Sequence, residues 1–233
     1  MTAAAPRRPR LVLASTNRGK LEEYRALAES GMLDRLVEIV LPGELASHGR
    51  PMPEVPEESL DLKVNAAAKA RAAAAAFGLV AVADDTGLEV DALGGAPGPR
   101  AARWAGPDAT DADRIRLLLE RLRGVPVSRR TARFRCAVAV AEPPAGPSTP
   151  GRVWVREAAL EGQIALAPRG DRGFGYDPLF VVPGLGKTFA ELSREEKNQV
   201  SHRARAWRAA EPLLVRLIVA PESPEPLPPP FEG

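Results

Sequence analysis

The sequence predicts an α/β fold, because short apolar segments typical of buried strands alternate with longer segments typical of helices. Its 233 residues suit one large domain or two small lobes. Hydrophobic residues make up 45% of the chain, which is enough to fill a core, and the sequence contains no internal repeat. We therefore expect one α/β unit that covers most of the chain.

The first half of the chain predicts strands and helices in turn. Its strands are expected at 11–14, 37–41 and 78–82, and its helices at 21–30 and 60–77. The first helix would place Leu21, Tyr24 and Leu27 on one face. The second helix contains an alanine run, which favours helix formation and lets the helix pack closely on a sheet. Residues 43–58 are rich in Pro and Glu, and we predict a loop there.

The second half predicts a helix, two strands and a last helix. The helices are expected at 108–123 and 201–217, the strands at 132–141 and 153–161, and a surface loop at 142–151. The densest turn chemistry lies in 162–183. We place the folded domain at 11–219. It follows a flexible N-terminus at 1–10 and precedes a tail at 220–233, whose Pro, Glu and Ser content predicts disorder.

Composition argues against several classes of protein. The formal net charge of +2 does not suit a nucleic-acid-binding surface, although the pI of about 8.9 is compatible with a phosphate ligand. The single cysteine, Cys136, permits no internal disulfide, and we expect a buried, inert thiol in a reducing compartment. Two histidines are too few for a His/Cys zinc site. No segment suits a membrane span or a signal peptide, so we expect a cytoplasmic protein.

The most informative motif is the acidic pair Asp84-Asp85, which is followed by Thr86 and Gly87. The pair comes directly after an apolar segment, so we expect it at the end of a buried strand. Two adjacent carboxylates in such a place are costly to hold without a cation, which makes a Mg²⁺ site the natural hypothesis. The alternative is a solvated turn capped by aspartate.

A second motif predicts a phosphate-binding turn. The residues that follow the first strand are Ser15, Thr16, Asn17, Arg18, Gly19 and Lys20. A polar turn between a strand and a helix presents backbone N–H groups and a lysine at a helix N-terminus, which favours a phosphate. The motif lacks the glycine spacing of a P-loop, and its alternative is an N-cap turn with a surface lysine.

A third motif predicts an aromatic platform for a base. Gly173 and Gly175 flank Phe174 and leave both faces of its ring reachable, while Tyr176 and Asp177 follow directly. An aromatic ring presented in this way can stack on a base, and the carboxylate beside it supplies a hydrogen-bonding edge. The alternative is a tight turn that holds core aromatic residues.

A fourth motif predicts a cluster of hydrogen-bond donors. Lys197, His202 and Arg203 are expected at the start of one helix, where they would face a carbonyl group on a base edge. The alternative is a solvated helix N-terminus capped by Ser201. Together with the phosphate turn, the acidic pair and the aromatic platform, this cluster completes the inventory of a nucleoside triphosphate site.

These ordered motifs resemble those of the inosine triphosphatase family, also called HAM1-like nucleotide pyrophosphatases. The resemblance spans residues 11–217 and rests on segments 15–20, 83–98, 173–178, 187–192 and 196–204. It implies an elongated mixed β-sheet with flanking helices, two lobes around a central nucleotide cleft, and a homodimer. It also implies Mg²⁺-dependent hydrolysis of dITP, ITP and XTP to the monophosphate and pyrophosphate, which removes deaminated purine nucleotides from the pool.

The resemblance also implies roles for individual residues. Residues 15–20 would bind the triphosphate, chiefly through Thr16, Asn17 and Lys20. Asp85 would be the metal ligand and the presumed catalytic base, with Thr86 beside the substrate. The motif at 173–178 would bind the purine, which stacks on Phe174. The remaining contacts to the base would come from Asp177, Lys197, His202 and Arg203.

The chain departs from the family pattern in the segment 57–66. This segment is one residue short, and Val64 stands where an acid is usual. The second metal-binding acid is therefore either Glu57 or Glu58. Thr86 replaces a common serine and keeps the hydroxyl group.

Selectivity and rival functions follow from the same motifs. Donors that face the purine 6-position would favour a 6-oxo group over a 6-amino group by about 10⁴-fold, but they would not exclude GTP. One rival is a Maf-like pyrophosphatase that acts on modified nucleotides. Another is a catalytically silent nucleotide-binding regulator, against which Asp84 and Asp85 argue. A third is a nucleic-acid-binding module, against which the balanced net charge argues.

Overall fold

The computed structural model describes residues 8–45, 52–221 and 226–232. The predictions that concern residues 1–7, 46–51, 222–225 and 233 lie outside this part of the chain, and one of the two histidines, His48, lies there too.

The described residues form an α/β fold around one mixed sheet. Its strands are β1 (Arg10–Leu13), β2 (Glu38–Val40), β3 (Ala81–Val90), β4 (Pro97–Gly98), β5 (Thr131–Ala141), β6 (Val153–Ile164) and β7 (Phe180–Val181). The strand order is β2-β1-β3-β5-β6-β7, and β4 pairs with β3. Strands β2, β1 and β3 are parallel, and the remaining pairs are antiparallel, so the predicted mixed sheet is confirmed.

The helices flank this sheet. They are α1 (Arg18–Glu29), α2 (Pro42–Leu45), α3 (Leu62–Phe77), α4 (Asp111–Arg121), α5 (Arg194–Val200) and α6 (His202–Leu214). A π-helical turn, Val215–Val219, continues α6. The predicted helix over 60–77 is confirmed with a start at Leu62, where the Asp61 side chain accepts a hydrogen bond from Lys63 N and caps the helix.

Three apolar clusters divide the fold into two lobes. In the first lobe, the alanines of α3 pack against one face of the sheet, and α1 and α6 pack against the other. In the second lobe, α4 packs over the far ends of the long strands, where Leu88, Phe134 and Ile164 are buried. We call this last cluster the second-lobe core. Strands β3, β5 and β6 pass through both lobes, so residues near the middle of these strands lie at their junction.

Two sequence predictions about element boundaries are wrong. The strand expected at 78–82 continues to Val90, because Asp84 and Asp85 pair in the ladder opposite Val138 and Ala137 of β5. The acidic pair therefore lies in mid-strand and not at a strand end. The donor cluster is also split, since Ser201 ends α5 and caps α6, which places Lys197 on one helix and the other two donors on the next.

The tail also differs from the expected disorder where it is described. Phe231 N donates to Val153 O at 2.7 Å, and Trp154 Nε1 donates to Pro228 O at 2.7 Å. At this end β6 is an edge strand, because β7 pairs only with Gln163 and Ile164. The tail packs Phe231 against the α3 side of the sheet, so residues 226–232 cover an edge that would otherwise present unpaired backbone groups.

We expect Phe231→Ala to lower the free energy of unfolding by about 1–2 kcal/mol, because a half-buried ring and its backbone anchor are weakened. A melting temperature about 2–8 °C lower follows for a chain of this size. Differential scanning calorimetry measures the change, and Glu232→Ala, at an exposed neighbour, is the matched control. Equal melting temperatures for both variants would show that the tail adds nothing to stability.

Candidate active site

A cleft of about 1070 Å³ lies between the lobes and collects most of the predicted site residues. Those that line it are Ser15, Thr16, Asn17, Arg18, Gly19, Lys20, Glu57, Asp85, Thr86, Phe174, Gly175, Tyr176, Asp177, His202 and Arg203. Lys197 does not line the cleft but lies behind it, where it contacts Asp177. Glu58 is exposed and does not line the cleft.

The acidic pair does not form one joint site. Successive side chains of a strand point to opposite faces of the sheet, so Asp84 lies on the α6 side and Asp85 on the α3 side. The two carboxylates therefore face different surroundings, and each has its own cationic partners.

Asp85 lies in a polar pocket beneath α3. Asn65 Nδ2 donates to Asp85 Oδ2 at 2.9 Å, and Lys69 Nζ lies 3.2 Å from Asp85 Oδ1. Burial raises the pKa of Asp85, nearby Glu57 adds to this effect, and Lys69 and Asn65 oppose it. Sequence reasoning missed Asn65 and Lys69, although their i, i+4 spacing inside an alanine run marks one polar stripe on the helix.

Glu57 belongs to the same pocket. Lys69 Nζ contacts Glu57 Oε1 at 2.6 Å and bridges it to Asp85, while Arg103 donates to the Glu57 carboxylate and to its backbone oxygen. Two carboxylates that share one ammonium group have oxygen atoms directed at a common positive charge. The sequence left Glu57 and Glu58 open as the second acid. Of these two, only Glu57 pairs with Lys69 in the described structure.

The N-terminus of α1 lines the cleft. Asn17 caps this helix by accepting a hydrogen bond from Lys20 N at 3.1 Å, and Ser15 Oγ accepts one from Asn17 N at 3.2 Å. The helix begins at Arg18 and not at residue 21 because of this cap. The side chain of Lys20 is only 16% exposed and lies 3.0 Å from the Asp84 carboxylate, so it is not a surface lysine. The positive helix end and this lysine face the same part of the cleft.

A chain of alternating buried charges links Lys20 on α1 to Asp177 in the Phe174 turn. Asp84 contacts Lys20 and Arg203, and the Arg203 guanidinium also donates to Glu23. Lys197 then contacts Glu23 at 2.6 Å and Asp177 at 2.5 Å. Burial opposes the ionisation of Asp84, but Lys20, Arg203 and Lys69 outweigh it and lower its pKa. For Glu23, Arg203 and Lys197 likewise outweigh burial and lower the pKa.

Sequence reasoning missed Glu23, the residue that joins the two halves of this chain. Its signal was present, since Glu23 lies one helical turn before Leu27 on the buried face of α1. An acid on the apolar face of a helix needs a cationic partner. Here Lys197 and Arg203 both serve, and both come from the far end of the sequence.

The Phe174 ring lines the cleft near Lys197 and Arg203. The Lys197 ammonium lies 5.2 Å from the ring centre and the Arg203 guanidinium 5.5 Å. A Cβ atom on Gly19 would lie 2.5 Å from Phe174 Cδ1, so this glycine allows the ring to approach α1 closely. Tyr176 packs into the second-lobe core and donates its hydroxyl to Ala101 O at 3.0 Å.

The turn that carries Phe174 has two glycines in left-handed conformations, Gly173 at φ +75° and Gly175 at φ +64°. We expect Gly173→Ala to lower kcat/KM for the substrate by about 10²-fold, because the new Cβ would overlap Asp177 Oδ2 and displace its carboxylate. Gly175→Ala is the matched control, since it has the same backbone strain but no atom within 4 Å of the new Cβ. Steady-state kinetics of both variants would contradict this expectation if their losses were equal.

His202 is buried beside this turn with no hydrogen-bond partner on either ring nitrogen among the described residues. Its ring stacks on Phe134 at a centroid distance of 4.6 Å. Burial lowers its pKa well below 6.5, and Arg203 and Lys197 lower it further. A buried, neutral imidazole with both nitrogens unpaired retains a donor and an acceptor for a ligand.

His202 also makes stability depend on pH. Because its pKa is lowered in the folded state, only the unfolded chain takes up this proton as the pH falls below about 6.5, and stability is lost there. We expect urea unfolding to show a loss of up to about 1.4 kcal/mol per pH unit below pH 6.5, which His202→Gln removes. The prediction is contradicted if the variant keeps the wild-type pH dependence.

Cys136 is confirmed as a buried free thiol. Burial and the neighbouring Asp84 carboxylate raise its pKa to about 12, so the inert thiol predicted from the sequence agrees with its surroundings. No helix in the described part of the chain is both long and apolar enough to span a membrane.

Comparisons with known proteins agree with this fold. The model of the Ham1 family matches residues 11–213. The chain is 47% identical over 197 residues to a dITP/XTP pyrophosphatase of Geobacillus kaustophilus, which covers 84% of this chain and 89% of that protein. It is 42% identical over 209 residues to the dITP/XTP pyrophosphatase of Exiguobacterium sibiricum, with coverages of 90% and 98%. A solved structure of a HAM1 protein from Coxiella burnetii superposes with a TM-score of 0.74 at 38% identity, covering 89% of this chain and 99% of that one.

Proposed function

The chain belongs to the Ham1 family, and on that premise we propose that it hydrolyses dITP, ITP and XTP to the nucleoside monophosphate and pyrophosphate. The observation that carries this proposal is that one cleft brings together the N-terminus of α1, the Asp85 pocket, the Phe174 turn and His202. A nucleoside triphosphate needs such groups for its phosphates, its scissile bond and its base.

In this proposal the α1 N-terminus binds the triphosphate. Backbone N–H groups at a helix start and the partial positive charge of the helix both favour phosphate oxygens. Lys20 adds a full positive charge and is already directed into the cleft by Asp84. Pyrophosphate carries more negative charge as it leaves, so Lys20 stabilises it most in the transition state.

Asp85 and Glu57 would hold a Mg²⁺ ion, because they present carboxylate oxygens to a shared positive charge. No group of three His, Cys, Asp or Glu side chains in the described ranges fits a metal, which suits an ion that takes its other ligands from phosphate and water. When bound, such an ion would neutralise phosphate charge and favour an activated water. We propose Mg²⁺ on these grounds.

The chemical step follows from the position of Asp85. Its carboxylate accepts a proton from a water molecule, and the water oxygen forms a bond to the α-phosphorus. The bond from that phosphorus to the bridging oxygen breaks, and its electron pair leaves with pyrophosphate. Asp85 suits this task by its position, because it lines the cleft and its carboxylate is oriented by Asn65 and Lys69.

The Phe174 turn would bind the purine. Phe174 stacks on the ring, and two donors that line the cleft, His202 and Arg203, face the base edge. Lys197 lies behind the cleft, where it binds Glu23 and Asp177 and its ammonium group lies 5.2 Å from the centre of the Phe174 ring. Lys197 therefore supports the purine-binding turn from behind.

The proposal is tested by measuring pyrophosphate release from dITP, ITP, XTP, GTP and ATP, each with Mg²⁺ and with EDTA. We expect Mg²⁺-dependent release from the first three and little from ATP. A thermal melt of the same sample shows whether the protein is folded. Binding of ITP without release of pyrophosphate would instead support the silent nucleotide-binding regulator.

We also propose a homodimer, which the family resemblance supports. Sedimentation equilibrium of the full chain measures its mass, and a species of about 24.8 kDa would contradict the dimer.

A further inference from the structure

The N-terminus of α4 places one carboxylate at the edge of the cleft without using it to cap the helix. Thr110 and Asp113 form the capping box, in which each side chain accepts from the other residue's backbone N–H. Asp111 takes no part in this cap. Its Oδ2 instead accepts a hydrogen bond from Gly175 N at 2.6 Å, and its Oδ1 pairs with Arg114.

This contact reaches the turn that carries Phe174. Phe174 N donates to Asp177 Oδ2 at 2.9 Å, and the next amide, Gly175 N, donates to Asp111. The two backbone amides on either side of the Phe174 side chain are thus each held by a different carboxylate. Peptide planes fixed on both sides of a Cα atom fix the direction of its side chain.

The two carboxylates are anchored in different ways. Asp177 is buried and bound to Lys197, so it belongs to the charge chain that meets the first lobe at Glu23. Asp111 stands on α4, whose Leu118 is buried in the second-lobe core, as is Leu122 directly after the helix. The turn is therefore held from both lobes. Asp177 binds it from the side of the charge chain, and Asp111 binds it from α4.

We propose that Asp111 is a positioning residue, which holds the Gly175 amide and thereby orients the Phe174 ring for stacking on the purine. The proposal rests on the proposed function, since it assigns the ring to the base. Asp111 contacts the turn and not the reacting phosphate. Its loss is therefore expected to weaken substrate binding and to leave the chemical step unchanged.

Kinetics of three variants test this role. Asp111→Ala removes the acceptor, and we expect KM for ITP to rise about tenfold with kcat within about twofold of wild type. Asp111→Asn keeps an oxygen that accepts from Gly175 N, and we expect KM within about threefold of wild type. Asp113→Ala breaks the capping box on the same helix end, so it lowers the melting temperature but leaves KM unchanged.

The Gly175 amide gives a readout that does not need activity. In protein labelled with ¹⁵N-glycine, the Gly175 resonance is identified by its absence in Gly175→Ala. We expect its hydrogen exchange to be fast in Asp111→Ala and slow in wild type, Asp111→Asn and Asp113→Ala.

The outcomes separate this proposal from the proposed function. If wild type releases no pyrophosphate from ITP, the proposed function fails, and with it the purine-stacking role of Asp111; the exchange rate then reports only whether the contact exists. If wild type is active, an unchanged KM in Asp111→Ala overturns the positioning role. An Asp111→Asn variant as impaired as Asp111→Ala overturns it too, because the charge and not the hydrogen bond would then matter.

Discussion

Asp85→Asn is expected to lower kcat for ITP hydrolysis by about 10²–10⁴-fold while the protein stays folded, because the variant cannot accept a proton from water. The amide keeps an oxygen for the hydrogen bond from Asn65 Nδ2, and Lys69 keeps Glu57 as its partner. The pKa of Asp85 is raised in the folded protein, because burial makes its charged form less favourable than in water. Neutralising it should therefore leave the free energy of unfolding equal or slightly higher.

The measurement combines pyrophosphate release at saturating ITP with a thermal melt of each sample. Glu58→Gln is the control, because it makes the same chemical change at an exposed acid nearby. We expect the control to keep wild-type kcat. If Asp85→Asn retains more than about a tenth of wild-type kcat, the carboxylate is not the base; if only its melting temperature falls, the residue is structural.

Local patterns were enough to predict most of the secondary structure. The alanine run forms α3, and the apolar segments around Cys136 and Leu160 form β5 and β6. In each case the residue types of one continuous segment are enough to indicate its secondary structure. The end of β3 was not predictable in this way. The strand continues through two acids only because β5 pairs with it and cationic side chains from α1, α3 and α6 meet both carboxylates.

The same distinction between local sequence and distant partners applies to the site residues. Those on contiguous motifs, such as Ser15 to Lys20 and the Phe174 turn, were found from the sequence and line the cleft together. Glu23 was missed because its partners lie 174 and 180 residues away. Asp111 was missed because its target is a backbone amide, which leaves no signature in the sequence.

The tail is a segment for which the sequence predicts less order than the structure has. Its composition predicts disorder, since few of its residues are apolar. Yet an open strand edge lies beside the tail, and Leu227 and Phe231 each pack on an apolar cluster. The Phe231 amide donates to Val153 O, and Pro228 O accepts from the Trp154 indole. The composition of a segment indicates its own tendency to be ordered. Its order in the folded protein also depends on the surface on which it packs.

The largest expected difference between substrates is that between ITP and ATP, about 10⁴-fold in kcat/KM. His202 and Arg203 line the cleft as donors for the base edge, and His202 has no hydrogen-bond partner within the described structure. A 6-oxo group accepts from such donors. A 6-amino group instead leaves buried donors unpaired and adds an opposed N–H bond, which costs several times the free energy of a single lost contact.

The measurement uses one folded enzyme with four substrates, so no variant can confuse the result by misfolding. Purine riboside triphosphate, which has no group at the 6-position, separates the lost acceptor from the added donor, and inorganic tripolyphosphate gives the rate without a base. We expect kcat/KM to fall from ITP to purine riboside triphosphate and again to ATP. Equal values for ITP and purine riboside triphosphate would mean that the donors do not read the 6-oxo group. Equal values for ITP and ATP would remove the reason for holding Lys197, Glu23 and Arg203 as buried charges beside the Phe174 ring.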